Sequence, residues 1–396
     1  MFISSYLGRA RISLTLAAMA ALPVIASATE PFAIWLTPSP KPTAKTLFGV
    51  TFTNGLFIAV GANGAILSTS NGMNWTARSP FANFTNTLRA VTAGGGQFVA
   101  VGENGSIVSS ANGTSWTERP QGSGYSFVDV AYGGGQFAAI GPGPQVPNGE
   151  GGGYTITTNI IFTSPNGAAW IQQSAPVYNA NYFLDAIAYG NGRFLINEGG
   201  QMIESLNGAN WNRITAFATD PVGKLKFAQG RFFQGNVQSI RVSSDNGLSW
   251  ADEAPFQGLG VYSMANGGGY YVAVGTGFGV RYSTNATDWT TRIINVPEAW
   301  YDVVYGNGRF VAVGGLGAIR VGLLPVTLTV QRGATTVVLA HGAPGPTCTI
   351  EMTENLNNNP SWQALGTFTL TNTVNAFTDT GAAGRPRRFY RALIAP

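Results

Sequence analysis

From residue 47 onward, short apolar runs alternate with tight polar turns. Leu47 to Phe52 is one run, Thr53-Asn54-Gly55 a turn, and Leu56 to Val60 a second run. Gly61-Ala62-Asn63-Gly64 turns the chain into Ala65 to Thr69, and Asn71-Gly72 turns it into a fourth run that starts near Trp75. Runs of this length, rich in β-branched residues and bounded by Gly and Asn, predict strands. Asn-Gly is the strongest short hairpin signal, because both residues tolerate the positive φ of a tight reverse turn.

The block then recurs. Gly55-Leu56-Phe57-Ile58-Ala59-Val60-Gly61 returns as Gly96-Gln97-Phe98-Val99-Ala100-Val101-Gly102 and as Gly308-Arg309-Phe310-Val311-Ala312-Val313-Gly314, with degenerate versions around Phe137, Phe194, Phe232 and Tyr271. A second landmark reads hydroxyl residue, any residue, Asn, Gly (once Ala), two residues, Trp. It ends at Trp75, Trp116, Trp170, Trp211, Trp250 and Trp289. Four antiparallel strands per repeat of about 40 residues, seven times over, predict an all-β chain: a seven-bladed β-propeller.

One landmark counts seven and the other six. The seventh unit ends Ile319-Arg320-Val321-Gly322-Leu323-Leu324-Pro325 without Asn-Gly or Trp, whereas Trp35 stands one period before Trp75. Residues 32–37 are therefore expected to supply the outer strand of the last blade, so that the N-terminal strand closes the ring and removes free sheet edges. The third unit is longer, with its excess in 142–153, a Gly- and Pro-rich loop placed between the second and third strands. Past Pro325 the period stops, and alternating runs over 326–396 predict a small C-terminal β-sandwich. The expected division is 1–28, 29–325 and 326–396.

Composition agrees with this picture. Charged residues are 10% and Gly is 53 of 396, and Gly costs about 1 kcal/mol per helix position. Arg9 and Arg11, the apolar stretch Ile12 to Ala26 and the small residues Ala26-Ser27-Ala28 read as a secretory leader, which implies a secreted or periplasmic protein. The apolar stretch is shorter than the roughly 20 residues needed to span a bilayer, and no later segment is apolar enough to do so. Without Arg9 and Arg11 the net charge falls from +4 to +2, which is not the clustered basic face that nucleic acid requires. Cys348 is the only cysteine and His341 the only histidine. This excludes an intramolecular disulfide and the usual zinc sites, and neither metal nor cofactor is expected.

Ser243-Ser244-Asp245-Asn246-Gly247-Leu248-Ser249-Trp250 resembles the Asp-box (BNR) motif of sialidases, sortilin-like propellers and photosystem II assembly factor-like proteins. The other copies depart from it: Ser70, Ala111, Pro165, Leu206 and Thr284 stand where the Asp belongs, each followed by Asn. The resemblance implies a secreted bacterial propeller whose motif hairpins lie on the rim away from the ligand face. The motif itself reads as structural: the Asn or Asp side chain accepts from its own turn, and the Trp packs between blades, as does Trp35 at the N-terminal end. Trp362-Gln363-Ala364-Leu365 and Arg388-Phe389-Tyr390-Arg391 resemble an Ig- or fibronectin-like module.

Candidate chemistry sits opposite the hairpins. Loops joining consecutive blades carry Phe81, Phe84, Tyr125, Tyr178, Tyr182, Phe256, Trp300 and Tyr301, and the turns between second and third strands carry Asn63, Glu103, Asn104 and Glu198. These rings are either a binding face or core residues between blades. Aligned inner strands give a column of Gly49, Ala90, Asp129, Ala186, Lys224, Ser263 and Asp302. Asp129 and Asp302, with Lys224 and Lys226, are expected to line a solvated channel. The Arg-Ile-Pro motif of sialidases is absent, carboxylates for a glycosidase pair are few, and His341 lies outside the repeats, so no Ser-His-Asp triad can form there. The expected role is non-catalytic binding or assembly at the cell exterior, through Tyr125, Tyr178, Tyr182, Trp300, Tyr301, Glu103, Asn104, Asp129 and Asp302, by a monomer whose partner is a protein or a glycan. The alternatives are a glycan-binding or sialidase-like hydrolase and a photosystem II assembly factor-like protein.

Overall fold

The computed structural model describes residues 10–12 and 35–396, apart from 123, 144, 148–153, 157, 177–182, 217–222, 254–259, 278, 294–298, 325, 333–334, 343–344, 356–359, 384, 386–387 and 395–396. Two compact units make up the chain: Pro38–Tyr305 with Val311–Arg320, and Met1–Thr37 with Gly306–Phe310 and Val321–Pro396.

The first unit holds six four-stranded antiparallel sheets of one design. In the first of them Leu47–Thr53, Leu56–Gly61, Ile66–Thr69 and Thr76–Arg78 lie side by side in chain order. The corresponding first strands are Leu88–Gly94, Asp129–Gly133, Leu184–Gly190, Leu225–Ala228 and Val261–Gly267, and each lies against the next. Trp300–Gly306 begins another four-stranded sheet, continued by Arg309–Gly314, Ile319–Leu323 and Trp35–Leu36. In that outermost pairing Trp35 stands opposite Gly322 and Leu36 opposite Val321.

The turn chemistry follows the sequence. Thr53 pairs with Leu56, leaving Asn54 (φ 49) and Gly55 (φ 74) as a two-residue loop. Both residues have the positive φ that suits the twist of the flanking strands. The Gly-x-Phe landmark is the core of each second strand: Phe57, Phe98, Phe137, Phe194, Phe232, Tyr271 and Phe310 are all buried. Val50, Val91, Val130, Ile187, Leu225, Met264 and Val303 are buried as well, as expected of positions that pack between sheets. The long insertion does lie between the second and third strands of its sheet, but it is not merely a loop: Gln145–Pro147 and Tyr154–Ile156 pair as a small antiparallel ladder.

Two devices fasten one sheet to the next. At the end of an inner strand, a glycine lies under an aromatic ring of the following sheet. A Cβ placed on Gly94 would be 2.0 Å from Tyr132, one on Gly133 1.9 Å from Tyr189, one on Gly190 2.1 Å from Phe227, and one on Gly267 2.0 Å from Tyr305. The second device is the tryptophan motif. Trp116 joins a cluster with Ile58, Val60 and Ile66 of the preceding sheet, and its indole N–H donates to Gly113 O at 3.3 Å. Gly113 needs positive φ (68), and a Cβ there would be 2.5 Å from Leu56.

The motif requires one correction. In five copies the Asn accepts from the backbone two and three residues ahead; Asn71 Oδ1 takes Met73 N and Asn74 N, both at 2.9 Å. A hydroxyl two residues earlier, Thr69 Oγ1, donates to the same oxygen at 2.9 Å. In the fifth copy Asp245 holds this place. Ser243 Oγ donates to it at 2.8 Å and Ser249 N at 2.9 Å, and Phe232 opposite Ser243 repeats the register of Phe57 opposite Thr69. The residue matching Asn71 is thus Asp245, not Asn246, which is an inserted residue at positive φ (65). A carboxylate held by three such donors ionises readily: the Ser249 hydroxyl and amide bring Asp245 down to about 2. Because Asn207 Oδ1 takes Ala209 N at 3.0 Å and Asn210 N at 2.9 Å, Asn207→Ala is expected to cost about 1 kcal/mol, read as a lower urea midpoint at unchanged slope.

In the second unit, Thr347–Thr353 lies between Phe389–Ile394 and Gln363–Thr369, and Ala10–Ile12 pairs on the outer side of Phe389–Ile394. A three-stranded sheet runs Thr327–Arg332, Thr336–His341, Val374–Asp379. Phe368 of one sheet stacks on Phe377 of the other at 6.4 Å. Asp379 is buried and accepts Arg388 Nη1 at 2.6 Å and Tyr390 Oη at 2.8 Å. The Arg385, Arg388 and Arg391 side chains are engaged here with Glu354, Asp379 and Glu351. His341 Nε2 lies 2.8 Å from Thr329 Oγ1.

Candidate functional site

Inner strands start with an irregularity that the sequence conceals. Leu47 faces Gly61 and Gly49 faces Val60, so Phe48 has no partner across the ladder. The same slip leaves out Arg89, Asp185 and Tyr262. Such a bulge aims one side chain away from the regular alternation. Tyr301, next to Asp302, holds the corresponding place in its strand. Three of these redirected side chains and Tyr301 meet in a row across four sheets. The Arg89 guanidinium lies 4.8 Å from the centre of the Phe48 ring, Phe48 lies 5.4 Å from Tyr301, and Tyr301 stacks on Tyr262 at 5.9 Å and 13°. Glu103 pairs with Arg89. All four members of the row are half-buried, so each ring keeps a face or edge in water. The ring contacts are worth about 0.5–1.5 kcal/mol each, and the half-exposed ion pair less than about 1 kcal/mol.

Beneath the row lies a charged knot. Asp302 accepts Lys224 Nζ at 2.6 Å, Lys226 Nζ at 3.1 Å and Ser263 Oγ at 2.6 Å. It also accepts the backbone N–H of Val50 at 3.1 Å and of Val303 at 3.0 Å. One carboxylate therefore ties together strands of four sheets. Burial alone raises the cost of its charge, but the two lysines and the Ser263 hydroxyl outweigh that and hold it well below the usual carboxylate range. Asp129 accepts Val130 N at 2.9 Å and Ile187 N at 3.0 Å. Burial pushes its carboxyl up, against the charge of Lys224. The expectation of a solvated lining is corrected: Asp302 is 1% exposed and Asp129 7%, because both turn inward to satisfy backbone N–H groups.

The other expected site residues scatter. Trp300 is 0% exposed; it occupies the column of Leu47, Leu88, Phe127, Leu184 and Val261, one residue before the bulge, which faces inward and is buried throughout. The guanidinium of Arg320 stands 5.8 Å from its ring. It cannot meet a ligand. Tyr125 packs on Phe162 at 5.3 Å and donates to Gln172 Oε1 at 3.3 Å, so it belongs to the seam between two sheets. Asn104 (φ 55) donates to Asn86 Oδ1 at 3.1 Å. Glu198, expected in an open turn, is buried, paired with Arg213 and bonded by Asn159 Nδ2 at 2.6 Å; burial raises its pKa. Phe84 is buried and Phe81 exposed. Tyr178, Tyr182 and Phe256 lie outside the described residues. Of the named set, Tyr301 lies in the row, Glu103 pairs with its Arg89, and Asp302 and Asp129 both feel the charge of Lys224.

Sequence reasoning missed Phe48, Arg89, Tyr262 and Leu316. The first three form the column immediately before Gly49, Ala90 and Ser263, where the repeats disagree in residue type. Leu316 is in the left-handed region (φ 52, ψ 29) of a three-residue turn where the first sheet has Asn63 (φ 51, ψ 45). Asn serves this conformation readily, whereas a leucine there costs about 1–2 kcal/mol, and it is 66% exposed.

No protein-family model matches the chain, and no curated protein matches it. Solved structures do. YCF48 from Cyanidioschyzon merolae is 15% identical, with a TM-score of 0.58 over 74% of this chain and 99% of that one. A structure of YCF48 bound to D1 peptide is 16% identical, with a TM-score of 0.56 over 73% and 94%. A catalytically inactive virginiamycin B lyase from Staphylococcus aureus with quinupristin is 11% identical, with a TM-score of 0.59 over 74% and 99%. At such identities what is shared is the fold: the repeated four-stranded sheets of this chain are those of a β-propeller.

Proposed function

We propose that this is an exported, non-catalytic propeller that binds or assembles with another protein through the open end of its inner strands. In this reading residues 1–28 are a leader whose cleavage takes the strand Ala10–Ile12 off the edge of Phe389–Ile394, and the repeats form seven blades, the last completed by the strand Trp35–Leu36. Residues 326–396 are an appended Ig-like sandwich. The observation that carries the functional part is the row Arg89–Phe48–Tyr301–Tyr262, drawn from four separate sheets, with bulges at Arg89, Phe48 and Tyr262. Core packing alone needs no such row, and it leaves rings and a guanidinium part-exposed where aromatic and arginine anchors of interfaces are most effective. That a propeller of similar fold, YCF48, has been solved with a D1 peptide supports a polypeptide as the class of ligand. Stacked rings also suit a sugar, which makes a glycan the second reading.

The two separate experimentally. A photo-crosslinking amino acid at position 301 of the exported protein is expected to trap a discrete protein adduct, and the same group at the exposed Ile171 none. A glycan-array signal abolished by Tyr301→Ala, with no protein adduct, overturns the protein reading. Turnover of a fluorogenic sialoside that disappears on changing one carboxylate overturns the non-catalytic one.

A further inference from the structure

The turn that carries Leu316 is tied to the chain just ahead of two members of the row. The Leu316 backbone N–H donates to Thr46 Oγ1 at 3.2 Å, two residues before Phe48. The neighbouring Gly315 N donates to Ala299 O at 3.0 Å, two residues before Tyr301. A leucine in this conformation, exposed to water, carries two handicaps that the asparagine of the equivalent turn avoids. An apolar group laid over it removes one of them by burying the side chain, and strained exposed residues of this kind concentrate at functional surfaces. Among the described residues, charges around the row are engaged within the chain: Arg89 with Glu103, Lys224 and Lys226 with Asp302, and Lys45 Nζ on Asn63 O at 2.8 Å. A charged ligand would compete with these contacts, whereas an apolar one only displaces water from the rings.

We propose that Leu316, Phe48, Tyr301 and Tyr262 receive an uncharged, apolar stretch of a partner polypeptide, a proposal that rests on the protein-binding reading above. Leu316 offers an aliphatic surface with no hydrogen-bonding group, which fits a leucine, isoleucine or aromatic side chain of a peptide better than the hydroxyl-covered edge of a sugar.

The test is selection of random short peptides displayed on phage against the full exported chain, with Leu316→Asn as the decisive variant. This substitution restores the residue used by the first sheet, so its thermal midpoint is expected to equal or exceed that of the native protein. The selected peptides are expected to be apolar and uncharged at their centre. They should lose about tenfold or more in affinity on Leu316→Asn and on Tyr301→Ala, with little dependence on salt. Peptides that bind Leu316→Asn as tightly as the native chain, or that carry charge at their centre, overturn this proposal and leave the protein-binding reading standing. A selection that yields no peptide overturns both.

Discussion

Asp302→Ala is expected to lower the free energy of unfolding by about 3–5 kcal/mol, the loss that follows when one member of a buried ion pair is removed. Among the described residues Asp302 is the carboxylate ion-paired with Lys224 and Lys226, whose side chains are 20% and 30% exposed. Its loss removes the ion-pair partner of both ammonium groups and leaves the Val50 and Val303 amides without their acceptor. Asp129→Ala should cost less, about 1–3 kcal/mol. Burial already disfavours the charged form of Asp129, so chiefly two amide hydrogen bonds are lost. The sign of the pH dependence follows from the same groups. The folded pKa of Asp302 lies below its unfolded value, so its contribution is complete above about pH 4 and is lost as pH falls through the folded value. Acid destabilisation below about pH 4 should therefore be shallower in Asp302→Ala than in the native chain. Asp129, shifted upward, works in the opposite sense, and its penalty is relieved on acidification. Urea unfolding at several pH values measures both. A loss under about 1 kcal/mol for Asp302→Ala would mean that the knot is hydrated and screened like a surface pair.

The strands, their order within a sheet and the hairpin turns were legible because each rests on local chemistry. Asn54-Gly55 permits one kind of turn, and Phe57 and its counterparts must be buried. What sequence did not show depends on registers that slip by one residue. The column containing Phe48, Arg89 and Tyr262 looks like an irregular position flanking an apolar run, and only the bulge turns it outward. The same one-residue uncertainty placed Asn246 where Asp245 belongs, because an insertion inside a turn shifts the side chain that accepts hydrogen bonds while leaving Gly247 and Trp250 in their usual relation. Trp300 misled for a related reason. It adjoins the site in sequence, but the alternation of a strand sends it to the opposite side from Tyr301. Buried carboxylates are rare, so a sequence alone points charged residues to solvent. Asp129, Asp302 and Glu198 are the exceptions, each holding donors of neighbouring strands.

A fastening rule, by contrast, is written openly in the repeats and predicts a strong coupling. Where an inner strand ends in Gly, the next sheet supplies an aromatic ring: Gly94 with Tyr132, Gly133 with Tyr189, Gly190 with Phe227, Gly267 with Tyr305. Where the next sheet has Ala93 or Asn266 instead, the matching positions are Thr53 and Ala228. None of these four glycines has a positive φ, so the requirement is one of space rather than of backbone freedom. Gly133→Ala places a methyl carbon 1.9 Å from the Tyr189 ring. The ring also packs on Phe194 at 4.9 Å and cannot retreat freely. Overpacking of this kind costs about 1–3 kcal/mol. Tyr189→Ala removes the ring, leaves a gap beside Phe194 and is expected to cost about 3 kcal/mol or more. The two losses should not add. In the double variant the new methyl enters the space that the ring vacated, reproducing the Thr53 and Ala93 arrangement of the first seam. The double variant is therefore expected to be more stable than the sum of the single losses predicts by about 1 kcal/mol or more, which a double-mutant cycle in urea resolves. Strict additivity would mean that the glycine is conserved across these seams for a reason other than the ring above it, and the fastening rule would have to be abandoned.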